Sequence, residues 1–145
     1  MSRDSDIKMA KKRMPPKVRA FRAKMQKRSE ELQEIAASHL HATHEGRLAP
    51  DTPPAASEPP FPRIPGLTQV RLSLDSQFIR KGRVASRWTV YADHSGPVAG
   101  IAPTNMEITV TGMTLSHLND EETAVTSQVS YYDQPALMNQ LRIGS

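Results

Sequence analysis

From Thr68 onward, the apolar residues of the chain recur at every second position. Side chains of a β-strand point alternately to the two faces of a sheet, so this period predicts strands that each bury one face. Two such stretches, 68–74 and 84–91, are separated by Lys81-Gly82, a pair typical of a tight hairpin turn. The alternating apolar positions are Val70, Leu72 and Leu74 in the first stretch and Val84, Trp88 and Val90 in the second.

The chain beyond this hairpin continues the strand pattern and then changes to a helix. Residues 106–117 are rich in β-branched side chains, and Gly112 in their middle predicts a bulge or a sharp bend. A fourth run covers 124–132, and residues 135–141 predict a short helix with Asp133 as its N-cap. Four consecutive antiparallel strands describe a curved sheet whose concave side needs a covering helix.

The region after Pro15-Pro16 is the candidate for that covering helix. Its apolar residues have helical spacing, which predicts a helix from about Pro16 to His44 with Gly46 as its stop. We therefore predict an α+β fold, with a curved antiparallel sheet of about four strands (cone type), one long N-terminal helix and a short C-terminal helix. The helix residues expected to face the sheet are Val18, Phe21, Met25, Leu32, Ile35 and Leu40.

Charge and proline content divide the chain into four regions. Residues 1–14 are predicted to be a disordered basic arm and 15–46 an amphipathic basic helix. Residues 47–66 form a proline-rich linker, since seven of the sixteen residues from Pro50 to Pro65 are proline, and 67–145 form the sheet domain. The net charge is +6 over residues 1–47 (12 Lys/Arg, 6 Asp/Glu) and −2 over 48–145 (7 Lys/Arg, 9 Asp/Glu). The basicity therefore belongs to the N-terminal part.

Composition excludes several classes of function and location. The chain has no cysteine, which excludes disulfides, thiolate metal sites and a cysteine nucleophile. It has no apolar run of signal-peptide length and no 18-residue apolar stretch, so we expect a cytoplasmic protein without a membrane partner. The Lys11-Lys12-Arg13 run is also compatible with nuclear import. Nucleic-acid binding by the Lys8–Arg28 stretch is the less favoured interpretation, because Phe21 is its one interleaved aromatic residue.

Three segments resemble the SnoaL-like polyketide cyclases, a family with the nuclear transport factor 2-like fold. The stretch Arg83–Gly96 resembles the family's strand that ends in a Thr-His-x-Gly pattern. The stretch Pro97–Gly112 resembles its Gly-Ile-Pro-Pro-Thr-Gly loop and following strand, and Tyr131–Gly144 resembles its closing Tyr-Trp-Asp and leucine-rich helix. The resemblance covers about residues 61–144. It implies frequent dimers through the sheet, so a homodimer is one expected assembly.

The family chemistry implied by this resemblance is an intramolecular aldol closure, in which a buried carboxylate removes a proton next to a carbonyl. The family's carboxylate position, six residues before Asp133, is Ser127 in this chain. A serine hydroxyl without a neighbouring base cannot remove such a proton near neutral pH. His94 matches the family's histidine and is the catalytic candidate, because an imidazole can act as acid or base near neutral pH. The alternative interpretation is a turn residue beside Ser95-Gly96 that is hydrogen-bonded to the backbone.

The other candidate residues could line a ligand pocket or pack in the core. Trp88 has the same parity as His94 on its strand, which places both on one face of the sheet. Met106, Ser127 and Tyr131 complete the predicted ligand pocket, although core packing is the favoured interpretation for Trp88, Met106 and Tyr131. The spacing His39-x-His41-x-x-His44 invites a metal hypothesis, but a solvated helix end is the simpler interpretation. No cofactor and no metal are predicted.

Three functional hypotheses remain open from the sequence. The first is a domain that binds a small apolar carbonyl compound, polyketide- or steroid-like, with catalysis in doubt because of Ser127. The second is an active cyclase, or an isomerase of the ketosteroid type, with His94 as the acid or base. The third and weaker hypothesis gives the function to the basic N-terminal arm, which would bind nucleic acid or an acidic partner.

Overall fold

A computed structural model describes residues 14–144 of the chain. The predicted basic arm 1–14, with the Lys11–Arg13 run, lies outside the described residues except for Met14. The first of two compact units ends at Glu31 and the second begins at Leu32. The predicted α+β class is confirmed, since the second unit contains a four-stranded antiparallel sheet with helical segments.

Helix α1 runs from Pro16 to Glu45 and crosses the boundary between the two units. It begins with the Pro15 carbonyl accepting the backbone N–H groups of Val18 and Arg19, and Gly46 follows its end with a φ of 72°. That left-handed conformation suits glycine and stops the helix. Within residues 14–144, no helix is both long and apolar enough to cross a membrane. The buried residues of α1 are Leu32, Ala36, Leu40 and Thr43.

Of the predicted apolar stripe of α1, Leu32 and Leu40 are buried and Ile35 is partly buried. Leu40 belongs to the main core, whereas Val18, Phe21 and Met25 are exposed. The burial predicted for these three residues is therefore absent within the first unit, which ends at Glu31. Lysines and arginines flank them along the first three turns, and burying such charges without partners would cost more than the apolar contacts would return.

The strands are β1 (Leu67–Arg80), β2 (Arg83–His94), β3 (Glu107–Leu118) and β4 (Val125–Tyr132), joined in the order of the sequence. Lys81 and Gly82 form the predicted turn between β1 and β2, with φ angles of 44° and 73°. Residues directly opposite each other in antiparallel strands share a face, so the register defines rows across the sheet. The rows that face the core include Gln77–Ser86–Thr114–Ser130 and Leu74–Trp88–Gly112–Tyr132. We call this side the inner face.

Gly112 lies under the indole of Trp88. The pairing of β3 with β2 is unbroken on both sides of Gly112, so the bulge predicted there does not form in the described strands. A Cβ atom at this position would overlap the six-membered ring of Trp88 and crowd the Tyr131 carbonyl oxygen. Glycine is needed because a large side chain on the neighbouring strand occupies its space, and not because the chain bends irregularly.

The segment predicted as a proline-rich linker packs on the sheet domain. It contains a short 3-10 turn, Pro54–Ala56, and then crosses toward β1. Ala56, Pro60 and Phe61 are buried. Phe61 supplies an apolar anchor that a solvated linker would lack, which explains why residues 47–66 do not behave as an extended spacer.

Helix α2 runs from Gln134 to Gly144 and covers the part of β3 that β4 does not reach. Asp133 caps it as predicted, since its carboxylate accepts the Ala136 N–H at 3.0 Å. The Gln140 amide accepts the Thr109 N–H at 2.8 Å and donates to the Thr109 carbonyl oxygen at 2.5 Å. A side chain of α2 thus takes the hydrogen bonds that another strand would have made.

Candidate functional site

The centre of the inner face is an aromatic cluster built from three segments. Phe61 contacts the Tyr132 ring edge-on at a centroid distance of 5.1 Å and the Trp88 ring at 6.4 Å. Trp88 donates its indole N–H to Thr114 Oγ1 at 2.9 Å. Phe61 therefore fills the hollow of the curved sheet from the side opposite the strands.

On one side of this cluster the inner face is apolar. Val90, Ala92, Ile108 and Val110 belong to the same core cluster as Leu137 and Leu141 of α2. On the other side the inner face carries hydroxyl and amide groups, of which those of Ser86, Thr114, Ser116 and Gln128 are buried. The polar side chains of this half are Gln77, Ser86, Thr114, Ser116, Gln128 and Ser130.

The polar half is largely hydrogen-bonded internally. Gln77 donates to Ser86 Oγ at 3.2 Å and to the Gln33 carbonyl oxygen at 3.0 Å. Thr114 and Ser130 hydroxyls lie 2.7 Å apart across β3 and β4. Because buried hydroxyl and amide groups are costly unless paired, this half of the inner face is a specific feature and not ordinary core packing.

A surface groove leads to the polar half along β4, the edge strand of the sheet. It has a volume of about 560 Å³, within the range of small-molecule sites. One wall is the Glu58–Arg63 segment that carries Phe61, and the other is β4. The β4 side chains that line the groove are Gln128, Ser130 and Tyr132.

His94 lies at the end of β2 with no accessible surface. Its Nδ1 atom is 3.3 Å from the Thr104 backbone N–H donor and 3.1 Å from the Thr104 hydroxyl. The Thr104 hydroxyl oxygen already accepts the Met106 N–H, so its proton is available to Nδ1. Because both donors point to Nδ1, this nitrogen accepts, and the proton of the neutral ring is on Nε2. Nε2 is buried and has no hydrogen-bond partner.

The predicted pocket residues lie on both faces of the sheet. Trp88 and His94 share the inner face, where both side chains are fully buried. Tyr131 lies opposite Met113 on the outer face and is 70% exposed, and Met106, just before β3, is 57% exposed. Ser127 is also on the outer face, where its hydroxyl lies 3.2 Å from His117 Nδ1.

The inner face of the four described strands carries no carboxylate. On the outer face, the Asp75 carboxylate accepts a hydrogen bond from the Thr89 hydroxyl at 2.7 Å. Glu107 of β3 forms a salt bridge with Arg71 of β1 at 2.7 Å. Asp133 is committed to capping α2. Among these residues, no strand carboxylate is placed to remove a proton from a molecule inside the hollow.

The three histidines of α1 do not converge. His39 Nε2 lies 2.7 Å from the Ala56 carbonyl oxygen, and His44 Nε2 lies 3.3 Å from the Val70 carbonyl oxygen. Among residues 14–144, no three His, Asp, Glu or Cys side chains are close enough together to hold a metal ion. His39 and His44 thus tie the second half of α1 to the segments around it.

Sequence reasoning missed Phe61, Ser116 and Gln128 as site residues. Phe61 lies in a proline-rich stretch without periodicity, so its burial had no signal beyond its position next to Pro62. Gln128 was detectable in principle, because it follows Ser127 by one position and strand parity puts the two on opposite faces. Ser116 shares the inner-face parity of Val84 and Thr114, but a serine on a strand carries no signal that marks it as a site residue.

Comparisons with known proteins agree with this architecture. The profile of the SnoaL-like polyketide cyclase family matches residues 64–141. No curated protein matches the chain. Among solved structures, IdmH of Streptomyces antibioticus, a candidate polyketide cyclase, has a TM-score of 0.58 at 17% identity, covering 77% of this chain and 98% of that protein.

Two further structures extend the comparison. TsrD of Streptomyces laurentii has a TM-score of 0.54 at 18% identity, covering 77% of this chain and 95% of TsrD. AclR of Streptomyces galilaeus, a candidate hydroxylase, is 23% identical with a TM-score of 0.47, covering 53% of this chain and 50% of AclR. This chain thus spans about half the length of AclR. At these identities the likeness concerns the fold alone.

Proposed function

Because the chain belongs to the SnoaL-like polyketide cyclase family, we propose that its curved sheet binds a small, largely apolar carbonyl compound in the hollow of the inner face. The ligand would replace the Phe61 ring between Trp88 and Tyr132 and enter by the groove along β4. Binding without carboxylate-driven catalysis is the function that the residues of the hollow favour.

The observation that carries this proposal is the position of Phe61. It comes from an irregular segment and not from a helix or strand, and its ring occupies the hollow in contact with two aromatic rings. A side chain on such a segment can be displaced at lower cost than one on the sheet, because few backbone hydrogen bonds must break. Flat apolar compounds would then find two aromatic walls.

Trp88 gives a direct test, because it is the one tryptophan of the chain and lies at the proposed site. We expect bicyclic and tetracyclic ketones to change its fluorescence on titration. The Phe61→Ala variant should bind them roughly tenfold more tightly, because the ligand no longer has to displace a ring. Phe78→Ala, which alters an exposed phenylalanine of β1, serves as the matched control. Unchanged Trp88 emission with every compound, in both the parent and Phe61→Ala, would refute the proposal.

A second candidate function uses His94. Its Nε2 is buried without a partner, and the neutral ring presents a proton there, so His94 would donate a hydrogen bond to a ligand carbonyl oxygen in a cyclase or isomerase reaction. The base would have to be another group. This candidate ranks second because Nδ1 is already satisfied by Thr104 and no strand carboxylate faces the hollow.

The two functions differ in what His94 substitution removes. For any ketone that the protein converts, His94→Gln should lower kcat about 100-fold or more and leave ligand binding measured by Trp88 fluorescence largely unchanged. Conversion at the parental rate by His94→Gln would eliminate the catalytic role. Binding of ketones without any conversion by the parent protein would leave the first function standing alone.

A further inference from the structure

Ser116 and Gln128 are directly opposite each other on the inner face, in β3 and β4. They are 1% and 8% exposed, yet Ser116 Oγ and Gln128 Oε1 have no hydrogen-bond partner. Two unpaired polar atoms in neighbouring positions of one row are unusual, because buried polar groups are nearly always satisfied. The rest of the polar half is hydrogen-bonded.

The orientation of the Gln128 amide is fixed by its surroundings. Its Nε2 donates to the Glu58 carbonyl oxygen at 2.7 Å and to Thr43 Oγ1 at 3.3 Å. The Thr43 hydroxyl donates its own proton to the Leu40 carbonyl oxygen at 2.8 Å, so it can only accept from Gln128. Turning the amide over would place Oε1 against the Glu58 carbonyl oxygen. Oε1 is therefore held as an unpaired acceptor beside a serine hydroxyl.

We propose that Ser116 and Gln128 form a subsite for a neutral hydroxyl group of the bound molecule. A hydroxyl can donate to Gln128 Oε1 and accept from the Ser116 O–H, which satisfies both atoms at once. A ketone oxygen can accept from Ser116 but leaves Oε1 unpaired. A carboxylate would face Oε1 with no cation on the described inner face to offset its charge, and an ammonium group would find no carboxylate there.

This subsite rests on the proposed function and refines its ligand class to hydroxylated apolar molecules. Gln128 also lines the groove along β4, so a ligand that enters by the groove and displaces Phe61 reaches both polar atoms with its leading end. Its apolar body would lie against Trp88 and Tyr132. A water molecule can occupy the subsite before the ligand does, and the ligand hydroxyl would then take over its two hydrogen bonds.

A matched pair of probes tests the assignment, namely 2-naphthol and 2-methylnaphthalene, which have nearly the same shape. Equilibrium dialysis with the full chain gives the ratio of their dissociation constants. We expect Ser116→Ala and Gln128→Met each to reduce the preference for 2-naphthol roughly tenfold and to leave 2-methylnaphthalene binding unchanged. Unchanged 2-methylnaphthalene binding also establishes that the variant is folded. Ser73→Ala, at an exposed serine of β1, is the control and should keep the parental ratio.

The outcomes separate this proposal from the proposed function. An unaltered ratio in both variants, with both probes still bound more tightly by Phe61→Ala, would refute the hydroxyl subsite and leave the binding function intact. If neither probe binds the parent or Phe61→Ala, the binding function fails and the subsite fails with it. Where Ser116→Ala does not fold, Gln128→Met decides the assignment.

Discussion

At Gly112, a missing side chain makes room for the largest side chain of the core. The Trp88 indole lies where a Cβ of residue 112 would be, and its N–H reaches Thr114 two residues further along β3. Gly112→Ala should therefore destabilise the protein by about 1–3 kcal/mol through overpacking, even though alanine favours strands no less than glycine does. Urea unfolding followed by circular dichroism measures this loss.

The control for this prediction is a smaller residue at position 88. In a Trp88→Leu background, Gly112→Ala should cost less than half as much, because leucine leaves room for the added methyl group. Equal costs in the two backgrounds would mean that the backbone conformation of Gly112, and not the indole, requires glycine.

Residue-level prediction succeeded where strand parity was sufficient. Parity placed Trp88 and His94 on one face, and the structure has both on the inner face. Parity could not explain why residue 112 is a glycine, because the space of its side chain is taken by Trp88 on another strand. It also could not find the unpaired atoms of Ser116 and Gln128, because hydrogen-bond satisfaction depends on the segments that cover the face, here Thr43 and Glu58.

At the scale of elements, the two halves of α1 differ in what they contribute to stability. Leu40 is fully buried in the core, whereas Met25 is 55% exposed in the first unit. Leu40→Ala should cost about 2–5 kcal/mol by leaving a cavity. Met25→Ala should change stability by less than about 0.5 kcal/mol. Urea unfolding of the two variants under the same conditions compares these values, and a similar loss for both would show that the whole predicted stripe is buried.

Periodicity predicted the four strands and both helices, because it reflects burial of one face and needs no knowledge of the partner. It failed for elements that are held by irregular contacts. The Gln140 amide replaces a strand at Thr109, and Phe61 anchors the proline-rich segment, but neither has a repeating pattern. Periodicity also predicted too long a buried stripe on α1, because the spacing of apolar residues takes no account of the charged residues beside them.

At the scale of the whole molecule, the outer face of the sheet carries one apolar row and, beside it, a mixed row. The apolar row crosses all four strands as Phe78–Ala85–Leu115–Val129. The next row, Ser76–Arg87–Met113–Tyr131, is apolar or aromatic only on β3 and β4. The large apolar side chains that are exposed in these rows are Phe78, Met113, Val129 and Tyr131. Contiguous exposed apolar surface of this kind usually marks an interaction site.

We expect this outer face to pair with the same face of a second copy, because a two-fold interface can bring the apolar row against its own equivalent. Sedimentation velocity should then give a dimer for the parent chain, and Val129→Lys should shift it to monomer, since the lysine would be buried near an identical charge. Ile143→Lys places the same charge at an exposed apolar residue of α2 and should leave the dimer intact. A monomeric parent at all concentrations, or equal dissociation by both substitutions, would contradict pairing through the sheet. The inner face would remain free for ligand in such a dimer, so Val129→Lys should leave the fluorescence response of Trp88 unchanged.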